Sequence, residues 1–244
     1  KGGMQMYTEI RRCGERMKTM RLSGLCGMVI LALALGLGGM ALGQTLPRRT
    51  GMVQVIPGLW VDQAASAAQV AAVQGRIAAA ARVIAQRIGP PGQPEWWVCV
   101  SPDCDRRNGM QARGMTYGAS LIALGSSGAK DGGVYLHELT HATLHGALPM
   151  GGLFSKQLPL WFDEGVAVIL SKEPPEAARP KACAKVVRVK LPRTAVEFAA
   201  RVGNDPKKAL PIYTASACAL RKWLRQGNRL SDIPALLQSG KALP

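Results

Sequence analysis

The chain has 244 residues, 48% of them apolar, which is enough for a sizeable core and too many for wholesale disorder. Thirty-one Lys and Arg stand against fifteen Asp and Glu, a net charge of +16 that should draw the protein toward anionic material. No helix-turn-helix signature, zinc-finger spacing or aromatic-basic interleaving accompanies that charge, so no specific nucleic-acid partner is expected; an anionic surface or polymer, or simply a solvated basic face, accounts for it.

Residues 1–43 read as a leader. A short basic start (Lys18, Arg21), an apolar run from about Leu22 to Met40 and small residues at Ala41 and Gly43 have the layout of a secretory signal, with cleavage expected before Gln44. The residues before Met17 look like an upstream extension. The alternative is an uncleaved membrane anchor, since the apolar run is nearly long enough to span. Export, to a periplasm or to the medium, is the expectation, with no stable membrane span once the signal is removed. The remainder carries 25 basic and 13 acidic residues.

Residues 44–94 are expected to hold a strand, "MVQVIPGLWV", and a long Ala-rich helix that stops at Gly89 before two prolines. From residue 95, "PEWWVCV" and "GASLIALGSSG" read as strands. Asp131 can cap a helix running to about His145, with Gly146 placed to end it. "LPLWFDEGVAVIL" predicts a second helix after Pro159, and "SKEPPEAARP" a Pro-rich surface link. "KVVRVKLP" is a strand or an extended arm, and "TASACALRKWLRQG" and "LSDIPALLQSG" are terminal helices. Strands precede helices rather than alternating with them, so the class is α+β, with a mixed sheet, a site-bearing helix and a C-terminal helical part.

Four cysteines remain after the leader: Cys99, Cys104, Cys183 and Cys218. An even number in an exported chain predicts disulfides. Proximity across the turn-like "CVSPDC" favours Cys99 with Cys104 and leaves Cys183 with Cys218; a zinc quartet is the alternative, though no C-x2-C unit supports it.

All three histidines, His137, His141 and His145, fall within "VYLHELTHATLHGAL". On a helix, His137 and His141 lie about 40° apart around the axis and roughly 6 Å along it, so both imidazoles can reach one ion. Glu138 sits beside them, free to take a proton from a water at the metal, as in the H-E-x-x-H arrangement. The plain alternative is a helix with two ordinary histidines. His145 lies about 12 Å from His137 by helical rise, too far along one helix to share the ion, and is read as a helix-end residue or a supporting one.

A catalytic zinc needs a third protein ligand and an open position. Glu164, 23 residues beyond His141, stands in "LPLWFDEGVAV", and here the sequence resembles the gluzincin zinc peptidases. The likeness is to the W-x-x-E-G-x-A form of the aminopeptidase N-like and peptidase MA-like families, present as Trp161, Glu164, Gly165 and Ala167. It spans residues 95 to about 240 and implies one Zn²⁺ held by His137, His141 and Glu164, with Glu138 as general base. It further implies Tyr213, in "LPIYTASACALRKWL", as the hydrogen-bond donor to the oxyanion, and "ASLIAL" (119–124) as the strand that pairs with substrate. Gly165 would allow close helix approach, and Trp161 would pack beneath the site.

Two departures matter. The E-x-x-x-D of thermolysin-type enzymes is missing, because Val168 stands at that distance, so a supporting carboxylate must come from elsewhere, with Asp163 the candidate. The G-x-M-E-N segment that holds a substrate's amino terminus in aminopeptidases is missing too, which favours cleavage within chains. The function expected is a zinc-dependent peptidase acting on peptide or protein. The competing expectation is a peptide-binding module with a structural or vestigial metal site.

Overall fold

A computed structural model describes residues 47–149, 157–186, 188–203 and 205–244, and the expected leader over 1–43 lies outside them. Residues 47–244 form one compact unit of α+β class, built on a five-stranded mixed sheet of order β1-β2-β3-β5-β4. The strands are β1 (Met52–Ile56), β2 (Leu59–Asp62), β3 (Glu95–Val98), β4 (Gly114–Tyr117) and β5 (Leu121–Leu124).

The stretch expected as a single strand is a hairpin. β1 and β2 pair antiparallel and the chain reverses at Pro57-Gly58, a dipeptide suited to the centre of a turn. β2 and β3 are parallel, joined by helix α1 (Ala67–Arg87) in one strand-helix-strand crossover. Ser66 starts α1 with a reciprocal capping box to Gln69, satisfying two donors that the first turn leaves free.

Ser-Pro-Asp after Cys99 opens a short helix, α2 (Pro102–Asn108), rather than a turn. Ser101 accepts from the Cys104 N–H at 3.2 Å, and Pro102 occupies a first-turn position where a missing N–H costs nothing. The disulfide Cys99–Cys104 thus ties the end of β3 to the first turn of α2, and Cys183–Cys218 is the second bridge.

Strand β4 was not expected. It forms an antiparallel hairpin with β5, whose other side is taken by β3 in parallel. The strand expected to offer its edge to a substrate is therefore hydrogen-bonded on both sides. Among the described residues β4 is the free edge on that side of the sheet.

Helices α3 (Gly132–Gly146) and α4 (Leu160–Ser171) follow, close to their expected limits. Asp131 caps α3 by accepting from the Gly133 N–H at 2.8 Å. α3 lies between the sheet and α4, so it is buried on nearly all sides. Tyr135, Leu139, Ala142 and Leu144 join Leu59, Val61, Val98, Ile122, Leu124 and Ile84 in the main core. Burial of this kind is non-directional and supplies most of the driving force; the polar residues placed among it need partners of their own.

Beyond α4 the chain forms α5 (Pro175–Ala178), a 3-10 segment over 180–185, α6 (Ala195–Val202), α7 (Ala209–Arg225) and α8 (Ile233–Gln238). The described residues of "KVVRVKLP" form no strand: Lys185 ends the 3-10 segment, and the Val189 N–H donates to the Val186 carbonyl in a turn. α7 begins five residues before the expected start, because Pro211 falls in its first turn, where proline is tolerated. α4 packs closely on α7. A Cβ at Gly165 would lie 2.8 Å from the Ser216 carbonyl oxygen and 3.2 Å from Leu220 Cβ, so a side chain there would force the helices apart. No helix among the described residues is long and apolar enough to cross a membrane.

Candidate metal centre

The expected ligands converge. α3 presents His137 and His141 one turn apart, with rings 4.9 Å between centroids, and α4 directs Glu164 between them. Glu164 Oε2 stands 3.4 Å from His137 Nε2 and 3.6 Å from His141 Nε2. Those separations are too long for good charged hydrogen bonds, which run about 2.7–2.9 Å. They suit ligands of one ion instead: bonds of about 2.0–2.1 Å at tetrahedral angles place neighbouring donor atoms about 3.3–3.4 Å apart. Glu164 Oε2 is buried and lacks a hydrogen-bond partner, a costly arrangement that a cation would relieve. The residues fit a divalent ion.

His145 does not join that group. Its Nε2 bonds Asp163 Oδ2 at 2.9 Å, and Asp163 Oδ1 lies 2.9 Å from His141 Nδ1. Asp163, His141 and His145 could in principle be a second ligand group. Their separations of 2.9 Å, however, are shorter than the roughly 3.3–3.4 Å between donor atoms spread around one ion. Asp163 thus stands where a supporting carboxylate was expected, 2.9 Å from both His141 Nδ1 and His145 Nε2. It approaches the far nitrogen of His141, leaving Nε2 toward Glu164, and is itself held by His145. His137 is held from behind as well, its Nδ1 lying 3.2 Å from the Glu173 carbonyl oxygen.

Electrostatics follow from this crowding. Burial works against charge on Glu164, but His141 and His137 outweigh it and hold its carboxyl down at about 2. Asp163, equally buried, is kept well below the usual carboxylate range by His141 and His145. Burial would lower the His141 pKa, yet Asp163 and Glu164 hold it well above its ordinary value. A metal must displace that proton, so metal uptake should be pH-dependent.

Glu138 sits apart from the ligand atoms. Its Oε2 accepts from Thr116 Oγ1 at 2.8 Å, and the same hydroxyl donates to the Glu138 carbonyl at 3.0 Å. β4 therefore positions the carboxylate. Gly114, two residues earlier on the same face of β4, makes the room: a Cβ there would fall 2.7 Å from Glu138 Oε1. Nothing in "RGMTYG" marked Thr116 or Gly114, because their partner lies across the sheet-helix interface.

Tyr213 lies in α7 with its ring 6.4 Å from that of His137, edge to face. Burial, with Glu164 and Glu138 nearby, pushes its pKa well above the ordinary value, so the hydroxyl stays protonated at neutral pH and can donate. Trp161 is buried in the main core against Phe162, 5.5 Å between centroids.

Comparison with protein-family models, with curated proteins and with solved structures finds no match to this chain.

Proposed function

We propose that this chain is an exported zinc-dependent peptidase of the gluzincin kind, hydrolysing peptide bonds with His137, His141 and Glu164 as metal ligands. The observation that carries the reading is the spacing of three ligand atoms, on the buried His141 and Glu164 and the half-buried His137, at co-ligand distances, with Glu138 nearby yet bonded to Thr116. A purely structural site has no use for such a carboxylate.

Zinc bound there would supply Lewis acidity, which polarises a carbonyl and acidifies water. The chain's residues do the rest. Glu138 accepts the proton of the attacking water and passes it to the leaving amine. Thr116 keeps Glu138 aimed, and Asp163 keeps His141 in the tautomer that offers Nε2. Tyr213 donates to the oxygen on which negative charge develops. A substrate in extended form would add to the free edge of β4, which brings it past Thr116 and Glu138. Both disulfides suit an oxidising compartment and so support export.

The test is metal content and casein turnover, with and without chelator. Glu138→Gln should keep one zinc per chain and lose turnover, whereas Glu164→Ala should lose both. Full turnover by Glu138→Gln, or by chelated wild type, would refute the proposal.

A further inference from the structure

Residues 179–208 carry nine Lys or Arg and two acidic residues, a net +7. The rest of residues 47–244 carries sixteen against eleven over more than five times the length. Arg188, Lys190, Arg193, Lys207 and Lys208 are exposed, and none of their side chains forms an ion pair among the described residues. Charges left unpaired over one short segment create a positive field that only an outside partner can neutralise.

This segment is bolted to two helices of the proposed site, α4 and α7. The carbonyls of Arg193 and Pro192 accept from Leu160 and Trp161 N–H at 3.0 Å each, satisfying two N–H groups that the first turn of α4, the helix that carries Glu164, leaves without a partner inside the helix. Cys183–Cys218 fixes it to α7, the helix that carries Tyr213. Val189 and Tyr213 pack on the same cluster of Val202, Ala209 and Ile212, and the Phe198 ring lies 5.7 Å from that of Tyr213. The cations of Arg188 and Lys190 therefore flank a residue that packs on the same apolar cluster as the proposed oxyanion donor.

We infer that this basic arm is a substrate-selecting rim, and that the site takes acidic polypeptide. The inference rests on the peptidase reading for the word substrate, and on the arm alone for the acidic preference. A polypeptide is favoured over a duplex or a lipid surface because the arm borders the site rather than forming a separate face.

The test uses two unstructured peptides identical but for a Glu-rich or a Gln-rich flank, and a quadruple variant, Arg188→Gln, Lys190→Gln, Lys207→Gln and Lys208→Gln. Wild type should favour the Glu-rich peptide, through KM, and the preference should fade between about 50 and about 300 mM salt. In the variant the ratio of kcat/KM values for the two peptides should fall about tenfold. Mere damage to the fold would lower both values and leave the ratio alone. An equal rate on both peptides in wild type, or an unchanged ratio in the variant, overturns the inference while leaving the peptidase intact. Binding of labelled poly-glutamate to Glu138→Gln protein separates the two readings. If it is lost in the quadruple variant although wild type cleaves neither peptide, acidic recognition stands and hydrolysis falls. Tighter binding of duplex DNA or of anionic vesicles than of poly-glutamate at equal salt overturns the inference as well.

Discussion

Gly114→Ala should disable the proposed base without disturbing the metal. The new Cβ would meet Glu138 Oε1 at 2.7 Å, Cγ at 2.8 Å and Cδ at 2.9 Å, whereas ordinary contacts begin at 3.4 Å. Relief requires a shift of roughly 0.6 Å or more, and the flexible glutamate side chain gives way more easily than paired backbone in β4. Such a shift also strains the Thr116 bond that aims the carboxylate. Displacement of a reacting group by about 1 Å costs on the order of a hundredfold. The expected result is kcat reduced between about ten- and a hundredfold, with KM, zinc content and melting temperature close to wild type. Steady-state kinetics on a quenched peptide, with zinc titration and thermal melts on the same preparation, measure this. A wild-type kcat would show that Glu138 is not the base or does not occupy this place. Loss of zinc together with kcat would show that the strain spreads to the ligands.

Other outcomes are expected. His145→Ala removes one of the two imidazoles that hold Asp163, and zinc affinity, read by chelator competition, should fall about ten- to a hundredfold, with part of the loss recovered in His145→Gln. Unchanged affinity would mean that Asp163 needs no second partner. Replacing both cysteines of each bridge by serine should cost about 4 kcal/mol for Cys183–Cys218, separated by 35 residues, and about 2 kcal/mol for Cys99–Cys104, separated by 5, by urea melts. Asp131 tests pH dependence. Burial opposes its charge, but the Gly133 N–H and the Arg113 guanidinium hold its carboxyl below the ordinary value. Its charge therefore stabilises above the unfolded carboxylate range, and the gain is lost as pH falls through the depressed folded value. Asp131→Asn keeps a capping side chain, so the difference from wild type, about 0.5–1 kcal/mol for so exposed a pair, should vanish in acid.

The parts of this protein that can be read from its sequence are those set by local rules. Four-residue spacing puts His137 and His141 on one face, Asp131 opens α3, and the cysteine pairs form as proximity suggests. What escaped were short elements and contacts made across elements. β4 has only four residues, beginning on Gly114 and followed by Gly118, so its pairing with β5 is decided by the sheet rather than by its own composition. α6 carries a Thr194-x-x-Glu197 start signal, but its eight residues lie amid basic and Pro-rich chain. No spacing rule links Asp163 to His141; their 2.9 Å approach comes from the packing of α4 on α3. Thr116 gave no signal, since its partner is 22 residues away across the sheet-helix interface.

Three consecutive residues of α4 answer to three different neighbours. Asp163 grips the outer nitrogen of His141, Glu164 approaches the inner one, and Gly165 seats the helix on α7. No rotation or one-step slide of α4 can improve one of these contacts without breaking another. The triplet therefore sets the register of two helices at once, and insertions should be tolerated in the connection before Pro159 far sooner than a single added residue within either helix.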